Sequence, residues 1–332
     1  MSKATTRITG IVAGVLVAGV VLTGCSNAPS TPTEAEASGP VAADIVIGTG
    51  GQLSNADVFL GISEGLFEEQ SLTATTQILT AGSDAIPLLL NGDLNFATVD
   101  MGTAINAAQQ NIGIVTVAPN TVGVPGEIGY AGIIASPTSG INRPSDLEGK
   151  KVQVNQLGGT AEVLTRASII LDGGDADKVQ FVEIAPPEAI PALQAGQVDA
   201  IVVGEPLTTI ALGMGFTYVF NPEETTVPGL PTFVFVTSTA YAEANPQVVA
   251  QFQAAVLAAN ALANSDPDAV RETAKTSTTV DPDLLAQVKG LPVFGEEPIT
   301  GDQVQEFIDF LIEYGTLDAS AAPEGSAVVW AP

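Results

Sequence analysis

From Ala43 onward, the chain repeats one pattern: a short β-branched apolar run, a turn rich in Gly, and a segment with helical spacing of apolar residues. The first unit begins with ADIVIGT, turns through GGQLSN and continues into ADVFLGISEGLFEEQ. Because Phe59, Ile62 and Leu66 recur at helical spacing, this last segment is predicted to be a helix with those side chains in the core. Strands alternating with helices predict an α/β fold.

Residue types that favour helix N-caps stand before three of the predicted helices. Ser54 or Asn55 precedes the first helix, and Ser83 or Asp84 precedes the second. Thr160 precedes a third helix, AEVLTRASIIL (161–171), which follows the strand KVQVN and the loop QLGG. Each of these side chains is expected to accept a hydrogen bond from the first turn of its helix.

One unit of helix, turn and strand occurs twice in the chain. AIPLLLNGDLNFATVD and the later PALQAGQVDAIVVGEP both predict a helix, a Gly stop, a buried strand and a polar loop. When Gly92 is aligned with Gly196, the strand ends Val99 and Val203 coincide. Two such units indicate two similarly built α/β lobes.

Two strand-like segments, YAGIIAS (130–136) and TFVFVTS (232–238), are interpreted as crossings between the lobes. This interpretation makes the first lobe discontinuous, with residues 42–134 plus 235–332, and leaves residues 135–234 as the second lobe. Ala-rich helices predicted after these crossings, at 246–264, 281–289 and 301–314, are expected to pack on the first lobe.

The start of the chain has the layout of an export signal. After a short basic start, residues 8–22 form an apolar run shorter than the ~20 residues of a membrane-spanning helix. LTGC, ending at Cys25, resembles the lipoprotein box of bacteria, so residues 1–24 are expected to be a signal peptide and Cys25 to be lipidated. Residues 25–41 are expected to be a flexible tether. These features predict lipid anchoring on the outer face of the cell membrane, with an uncleaved anchor helix as the alternative.

Composition excludes several kinds of chemistry. The chain has no His and one Cys, so His-dependent nucleophilic catalysis, His-ligated zinc and an internal disulfide are excluded. With 37 acidic and 10 basic residues, the net charge of −27 argues against a nucleic-acid partner. No cofactor, catalytic residue or metal is expected, although a site made of carboxylates stays open on composition alone.

In open α/β sheets, ligands bind outside the carboxyl ends of the strands. Five predicted loops at those ends are rich in Gly, Ser, Thr, Asn and acidic residues, and none contains Arg or Lys. Their candidate ligand-binding residues are Gly51, Gln52, Ser54, Asn55, Ser83, Asp84, Asp100, Thr103, Asn155, Gly158, Gly159, Thr160 and Glu205. The N-termini of capped helices would suit an anionic or hydrogen-bond-accepting ligand. The alternative is that these are ordinary turns between strands and helices.

Glu205 follows the apolar run AIVV (200–203) directly, at the position where a buried strand would open into the cleft. An ionised carboxylate accepts hydrogen bonds but cannot donate them. We therefore expect a small ligand with at least one N–H or O–H donor that meets Glu205, with any anionic end held by helix N-termini. The alternatives for Glu205 are a solvated loop acid or a cap for the helix that begins near Leu207.

DLEGKKVQVNQLGGT and PALQAGQVDAIVVGEP, together with AIPLLLNGDLNFATVD and SEGLFEEQSL, resemble the substrate-binding proteins of ABC importers. The resemblance covers roughly residues 43–240 and is strongest to the group that binds nitrate, taurine, alkanesulfonates and thiamine precursors. One departure is Asn95, where the family usually has Asp. The resemblance implies a two-lobed periplasmic-binding-protein-like fold of type II. It also implies a monomer that captures a small polar ligand and delivers it to an ABC permease and its ATPase.

Other functions are weighed against this one. The pyrimidine synthases of thiamine biosynthesis are similar, but they use His and a Cys-rich motif, both of which this chain lacks. A carboxylate-based hydrolase on the same fold would turn its ligand over. A sensor or adhesion lipoprotein would pass its ligand signal to a receptor instead of an importer. Genes for a permease and an ATPase next to the gene of this protein would favour the importer.

Overall fold

The computed structural model describes residues 39–79, 84–123, 129–278, 282–314 and 317–331. Within them the strands are β1 (Ala43–Thr49), β2 (Leu72–Ile78), β3 (Phe96–Asp100), β4 (Ile114–Pro119), β5 (Thr121–Val122), β6 (Ala131–Ala135), β7 (Lys151–Val154), β8 (Gln180–Glu183), β9 (Ala200–Gly204), β10 (Thr217–Phe220), β11 (Phe233–Ser238) and β12 (Val293–Phe294). The helices are α1 (Ala56–Ser63), α2 (Leu66–Glu69), α3 (Ala85–Asn91), α4 (Met101–Gln109), α5 (Thr160–Leu171), α6 (Pro186–Gln194), α7 (Leu207–Gly213), α8 (Pro222–Thr226), α9 (Thr239–Ala244), α10 (Pro246–Ser265), α11 (Pro267–Ser277), α12 (Pro282–Leu285), α13 (Gly301–Glu313) and α14 (Gly325–Val328).

Two five-stranded sheets have the same topology. The first has the order β2-β1-β3-β11-β4, and the second, taken from its other edge, has the order β8-β7-β9-β6-β10. In each sheet the fourth strand in these orders runs antiparallel to both of its neighbours. The aligned units of the sequence occupy equivalent places, since β3 and β9 are both the third strand. The α/β fold and the similarity of its two halves are therefore confirmed.

The segments interpreted as crossings between lobes form strands, as expected, one in each sheet. Residues 131–135 form β6 in the second sheet, and residues 233–238 form β11 in the first. The predicted domain boundaries at 134/135 and 234/235 fall within these two strands, and their role as crossings stays a prediction. The division into two lobes itself stays a prediction.

The later helices cover the first sheet, as expected. On one face, Phe252 of α10 stacks on Phe96 of β3 with ring centroids 3.6 Å apart, and Phe235 meets it edge-on at 5.6 Å. On the other face, Phe307 and Ile308 of α13 belong to the apolar core that includes β3 and α4. Burial of these large apolar side chains is the main stabilising contribution to this half of the molecule.

The first helix differs from its prediction in two ways. It ends at Ser63, and a second helix begins after Gly65, whose φ of +77° is a left-handed conformation that favours glycine. The expected core residues Phe59, Ile62 and Leu66 are only half-buried. The buried positions are instead residues such as Val58, Leu60 and Phe67, because α1 packs between the sheet and α10 and so has two buried sides.

Helix boundaries near the end of the chain were predicted less well. The sequence did not predict helix α11, because its residues are mostly polar. Of the helix expected at 281–289, the described helical part is the short α12, Pro282–Leu285. No helix in the described ranges combines the length and the apolar character needed to cross a membrane. The expected signal peptide, Cys25 and most of the expected tether lie outside the described residues.

Candidate ligand-binding site

The carboxyl end of β3 meets the start of α5, which joins strands of the other sheet. Thr160 Oγ1 donates a hydrogen bond to Asp100 Oδ1 at 2.7 Å, and Gly102 N donates to Thr160 Oγ1 at 3.2 Å. Asp100 also caps α4, because Oδ1 accepts from Thr103 N at 3.0 Å and Oδ2 from Thr103 Oγ1 at 2.6 Å. Three predicted site residues, Asp100, Thr103 and Thr160, are therefore joined in one network.

Thr160 does not have the role that its position in the sequence suggested. Gly159 is the N-cap of α5, and Thr160 is the first helical residue, with its hydroxyl directed at Asp100. The expectation that Thr160 caps its own helix is wrong, because its hydroxyl donates a hydrogen bond to the half-buried carboxylate of Asp100, which follows a strand of the other sheet.

Ser54 and Asn55 lie buried in the turn after β1. Asn55 Oδ1 accepts from Gly50 N at 3.1 Å, and its Nδ2 donates to Thr98 Oγ1 at 3.1 Å, so its side chain ties the loop to β3. Asn55 occupies the N-cap position of α1, as predicted, but its side chain does not make the expected capping hydrogen bond. Ser54 instead forms a hydrogen bond with the side chain of Tyr130.

Glu205 is 3% exposed and holds the start of α7. Its Oε2 accepts from Thr209 N at 3.0 Å, and its Oε1 accepts from Thr209 Oγ1 at 2.9 Å. The backbone N–H groups of Gly290 and Lys289 also reach this carboxylate. The helix-cap alternative for Glu205 is thus present in the structure, while contact with a ligand stays a prediction.

The loop between β7 and α5 is mostly exposed. Asn155 and Gly158 are exposed and Gly159 is buried, and Gly158 has a φ of +71°. Gly158 N donates to Glu162 Oε2 at 2.9 Å, which turns that carboxylate back toward the helix start. Glu162 is also paired with Arg166, whose Nε lies 2.8 Å from Glu162 Oε1.

The other predicted residues are less connected to this network. Gly51 is buried with a φ of +60°, and Gln52 is exposed. Asp84 is an exposed residue at the start of α3. Ser83 lies outside the described residues.

Burial and negative charge dominate the electrostatics near Tyr130. The pKa of the Tyr130 hydroxyl is raised to about 12, mainly by burial and to a smaller extent by the neighbouring Glu223 and Glu205, while the hydrogen bond with Ser54 opposes the rise. Burial and then the adjacent Glu224 raise the pKa of Glu223 to about 7. Burial also raises the pKa of Glu205, opposed by its hydrogen bonds with Thr209 and with the backbone of 289–290.

An apolar contact accompanies the polar network. Val163 and Leu164 of α5 are buried in the same apolar core as Met101 and Ile105 of α4. Helix α5 therefore contacts the elements of both sheets, with Ile169 in the core of the second sheet.

Sequence reasoning missed Tyr130, Glu162 and Thr209 as members of this region. Glu162 stands in the first turn of a helix, where acidic residues favour the helix dipole, and this signal could have identified it. Thr209 stands four residues after Glu205, in the first turn of α7, and this spacing could have identified it once Glu205 was considered as a cap. Tyr130 gives no comparable signal, since its partner Ser54 lies far away in the chain.

Two surface depressions lie elsewhere, along α13. They have volumes of about 440 and 390 Å³ and share Asp302 and Gln305 in their walls. Neither is lined by any of the predicted site residues. The candidate site at the carboxyl ends of the strands stays a prediction, and the contact of Asp100 with Thr160, which follow strands of different sheets, is consistent with it.

Comparison with known proteins matches residues 53–270 to the family model described as NMT1/THI5 like. A putative binding protein of Brucella abortus is 29% identical over 144 residues, which are 43% of this chain and 42% of that protein. The match thus spans less than half the length of that relative. The taurine-binding periplasmic protein of Escherichia coli is 26% identical over 270 residues, 76% of this chain and 82% of that protein.

Solved structures have the same fold at low sequence identity. The alkanesulfonate-binding protein SsuA from Xanthomonas axonopodis pv. citri, bound to MOPS, superposes with a TM-score of 0.69 at 20% identity, over 89% of this chain and 99% of that one. The periplasmic nitrate-binding protein NrtA from Synechocystis gives a TM-score of 0.68 at 14% identity, over 85% of this chain and 84% of that one. Because the family match extends over residues 53–270 and most of the chain superposes on these structures, this protein belongs to the NMT1/THI5 like family and has the fold of the periplasmic binding proteins.

Proposed function

We propose that this protein is a solute-binding protein, anchored by lipid outside the cytoplasm, that captures a small polar metabolite and delivers it to an ABC importer. The observation that carries the proposal is the hydrogen bond between Asp100, at the end of β3, and Thr160, at the start of α5. It places polar loops from the two sheets against each other, as a protein that closes around a ligand requires. The named functions of the relatives, which bind taurine, alkanesulfonate or nitrate, support the same class of activity.

The proposal includes two lobes, a monomeric protein, a permease with its ATPase as partners, and no enzymatic activity. In this view the segments 130–136 and 232–238, which include β6 and β11, act as the hinge strands. Closure would bring the loops at Asp100 and Glu205 against one ligand, and opening would separate Thr160 from Asp100.

The proposed binding function is tested with purified protein and a ligand panel that includes taurine, methanesulfonate, nitrate and 4-aminopyrimidine. We expect saturable binding of at least one small polar compound by calorimetry and its recovery unchanged by mass spectrometry. Chemical conversion of the bound compound would favour the carboxylate hydrolase. Stimulation of ATP hydrolysis by a reconstituted permease and ATPase would favour the importer over a sensor or adhesion protein.

The proposed anchoring is tested separately at Cys25. In bacterial cells, we expect the wild-type chain to incorporate a labelled fatty acid and to fractionate with membranes. Cys25→Ser is expected to lose both properties, because the thiol is the proposed attachment point. Membrane retention and labelling of the Cys25→Ser variant would contradict the anchor.

A further inference from the structure

Asp57 and Asn120 form a buried side-chain pair between α1 and the end of β4. Neither residue has exposed surface, and Asn120 Nδ2 donates to Asp57 Oδ2 at 3.0 Å across 63 positions of the chain. The backbone N–H groups of Val58 and of Asp57 itself also reach the carboxyl group. Since Asn120 stands between β4 and β5, the pair attaches α1 to the segment in which the chain leaves the first sheet.

The oxygen of the Asn120 amide has no hydrogen-bond donor among the described residues, although it is buried. Such an oxygen is uncommon in proteins, because the loss of its bonds to water is normally offset by a bond within the protein. Turning the amide over would not solve this, since its oxygen would then face Asp57 Oδ2, and two acceptors cannot bond to each other. With an ionised Asp57, the pair therefore lacks one proton in either orientation of the amide.

No buried cation on the neighbouring described elements balances a charge at Asp57. The helix α10, which packs on α1, and the strand β4 contain no charged residue. The helix α11 also contacts α1 and joins its charged side chains in two ion pairs, Asp268 with Arg271 and Glu272 with Lys275. The ionisable residues on α2, at the end of α1 and on β1 are exposed: Glu64, Glu68, Glu69 and Asp44. So are those that follow α11, namely Asp283, Lys289 and Glu296.

The electrostatic balance at Asp57 favours the neutral acid. Burial raises the pKa of Asp57 to about 7, and the causes that oppose burial are hydrogen bonds from Val58, Asn120 and the backbone of Asp57 itself. Tyr130 packs against the apolar cluster around the start of α1 and is neutral, because burial raises its pKa to about 12. A buried carboxylate without a paired cation usually takes up a proton instead of keeping its charge.

We propose that Asp57 is a protonated carboxylic acid in the folded protein and that its O–H donates to Asn120 Oδ1. The acid and the amide then form a closed pair with two hydrogen bonds, because Asn120 Nδ2 already donates to Asp57 Oδ2. This gives the buried amide oxygen a donor and removes a buried charge. The pair is a pH-sensitive switch, since it loses one of its two bonds when Asp57 ionises.

The backbone of Asn120 connects this switch to β11. Asn120 N donates to Phe233 O at 2.9 Å, and Thr232 N donates to Thr121 O at 2.9 Å. When Asp57 ionises, its carboxylate faces Asn120 Oδ1 acceptor against acceptor, and the attachment of Asn120 weakens. Residues 232–238 are one of the hinge strands of the proposed function. An effect of the switch on ligand binding therefore rests on that function, whereas the protonation of Asp57 does not.

The first test observes the proton by infrared difference spectroscopy of the wild type against Asp57→Asn. The difference isolates the C=O stretch of a protonated Asp57 from the groups that both proteins share, including Glu223, whose pKa burial also raises to about 7. We expect a carboxylic acid band at pH 6 that disappears with a midpoint near 7. If both proteins are folded and the band is absent at pH 6, another donor, such as a water molecule or a cation, completes the pair and the proposal is overturned.

The second test follows amide hydrogen exchange of peptides that cover residues 116–122, corrected for the intrinsic exchange rate at each pH. Opening exposes Asp57 to water, where its pKa returns to 3.8, so the opening constant should rise about tenfold per pH unit between 3.8 and about 7 and then level off. Asp57→Asn should show no such rise, because its amide makes both bonds at any pH. Asp93→Asn, at an exposed turn, is the control and should keep the wild-type profile. A wild-type opening constant that does not change with pH would overturn the switch.

The third test moves the acid to the other side of the pair. Asp57→Asn combined with Asn120→Asp keeps one acid and one amide, and we expect it to regain both the infrared band and the pH-dependent opening. A double variant that is folded by circular dichroism but lacks both would show that the pair is not the switch. If the double variant is unfolded, the comparison of the wild type with Asp57→Asn decides. None of these measurements uses a ligand, so failure of the switch and failure of the proposed binding function are told apart.

Discussion

The hydroxyl of Thr160 donates a hydrogen bond to the carboxylate of Asp100 at 2.7 Å, although the two residues lie 60 positions apart and follow strands of different sheets. The same hydroxyl oxygen accepts from Gly102 N. Thr160→Val keeps the side-chain volume but removes both bonds and leaves a buried N–H without an acceptor. We expect the free energy of unfolding to fall by about 1–3 kcal/mol, measured by urea denaturation.

Thr165→Val is the matched control for this substitution. Thr165 lies in the same helix and is fully buried, but its hydroxyl donates only within the helix, to Ala161 O at 2.7 Å. Loss of the Thr165 hydroxyl should therefore lower the free energy of unfolding by less than loss of the Thr160 hydroxyl does. Equal costs at the two positions would show that the contact between Thr160 and Asp100 adds no stability.

Asp57 is a fully buried carboxyl on α1. Asn120 Nδ2 donates to its Oδ2 at 3.0 Å, and the backbone N–H groups of Val58 and Asp57 also reach the carboxyl group. Burial raises the pKa of Asp57 from 3.8 to about 7, against hydrogen bonds that lower it. Since the folded state holds the proton more tightly, this group's contribution to stability is fully present below pH 3.8 and is lost as the pH rises toward 7.

Asp57→Asn removes this titration and keeps an oxygen that can accept from Asn120. We expect the variant to be more stable than the wild type at pH 8 by roughly 1–4 kcal/mol, and the difference to shrink toward pH 4. Denaturation at several pH values measures it. Asp93→Asn, at an exposed turn, removes the same charge and should show no such trend. A difference that is constant with pH at Asp57 would contradict the prediction.

Glu205 is expected to stabilise α7 whether or not it meets a ligand. Glu205→Ala removes the acceptor of Thr209 N and of Thr209 Oγ1. We expect the free energy of unfolding to fall by about 1–2 kcal/mol, as for the loss of other helix-capping groups. Chemical denaturation without ligand measures this change. Glu188→Ala, at an exposed residue in the first turn of α6, is the control and should cost less. An unchanged Glu205→Ala variant would show that its carboxylate is dispensable for the fold.

Gly132 of β6 lies against the ring of Tyr218. A Cβ at this position would lie 2.3 Å from Tyr218 Cε2, so a methyl group must displace the ring. The Tyr218 hydroxyl donates to Ala131 O at 3.1 Å and accepts from Gly129 N at 3.2 Å, next to a link between the sheets. We expect Gly132→Ala to lower the free energy of unfolding by about 1–3 kcal/mol.

Gly213→Ala is the control for Gly132→Ala, because its expected effect on the free energy of unfolding has the opposite sign or is absent. Gly213 is the last residue of α7, and a Cβ there meets no atom within 4 Å. Gly213→Ala is therefore expected to be neutral or to stabilise by up to about 1 kcal/mol. Thermal melting of both variants checks the pair. Similar melting temperatures for the two would show that the ring of Tyr218 moves aside freely.

The fold class and several elements were predictable from the sequence. The strand β1 has the predicted limits, and Gly92 and Gly196 end or follow their helices in left-handed conformations. The matching of Val99 with Val203 placed two strands in equivalent positions of two sheets. These features depend on local periodicity and on backbone conformation, which neighbouring residues largely determine.

The neighbours of each strand and the buried faces of the helices were not predictable in the same way. An apolar strand such as β6 has the same sequence pattern whichever sheet it joins. The burial of Val58 and Phe67 in preference to Phe59 depends on α10, which follows much later in the chain. Which face is buried is therefore decided by where a distant helix packs.

By itself, the sequence determined that this protein has two α/β units with polar loops at the ends of their strands. Only the tertiary structure decided which hydrogen-bond partners the polar groups of those loops have. Asp100 accepts from Thr160, and Glu205 holds the start of α7 while also reaching the backbone of 289–290. The physical reason is that a hydrogen bond needs its donor and acceptor within about 3 Å, and for residues far apart in the chain only the packing of the whole molecule sets that distance.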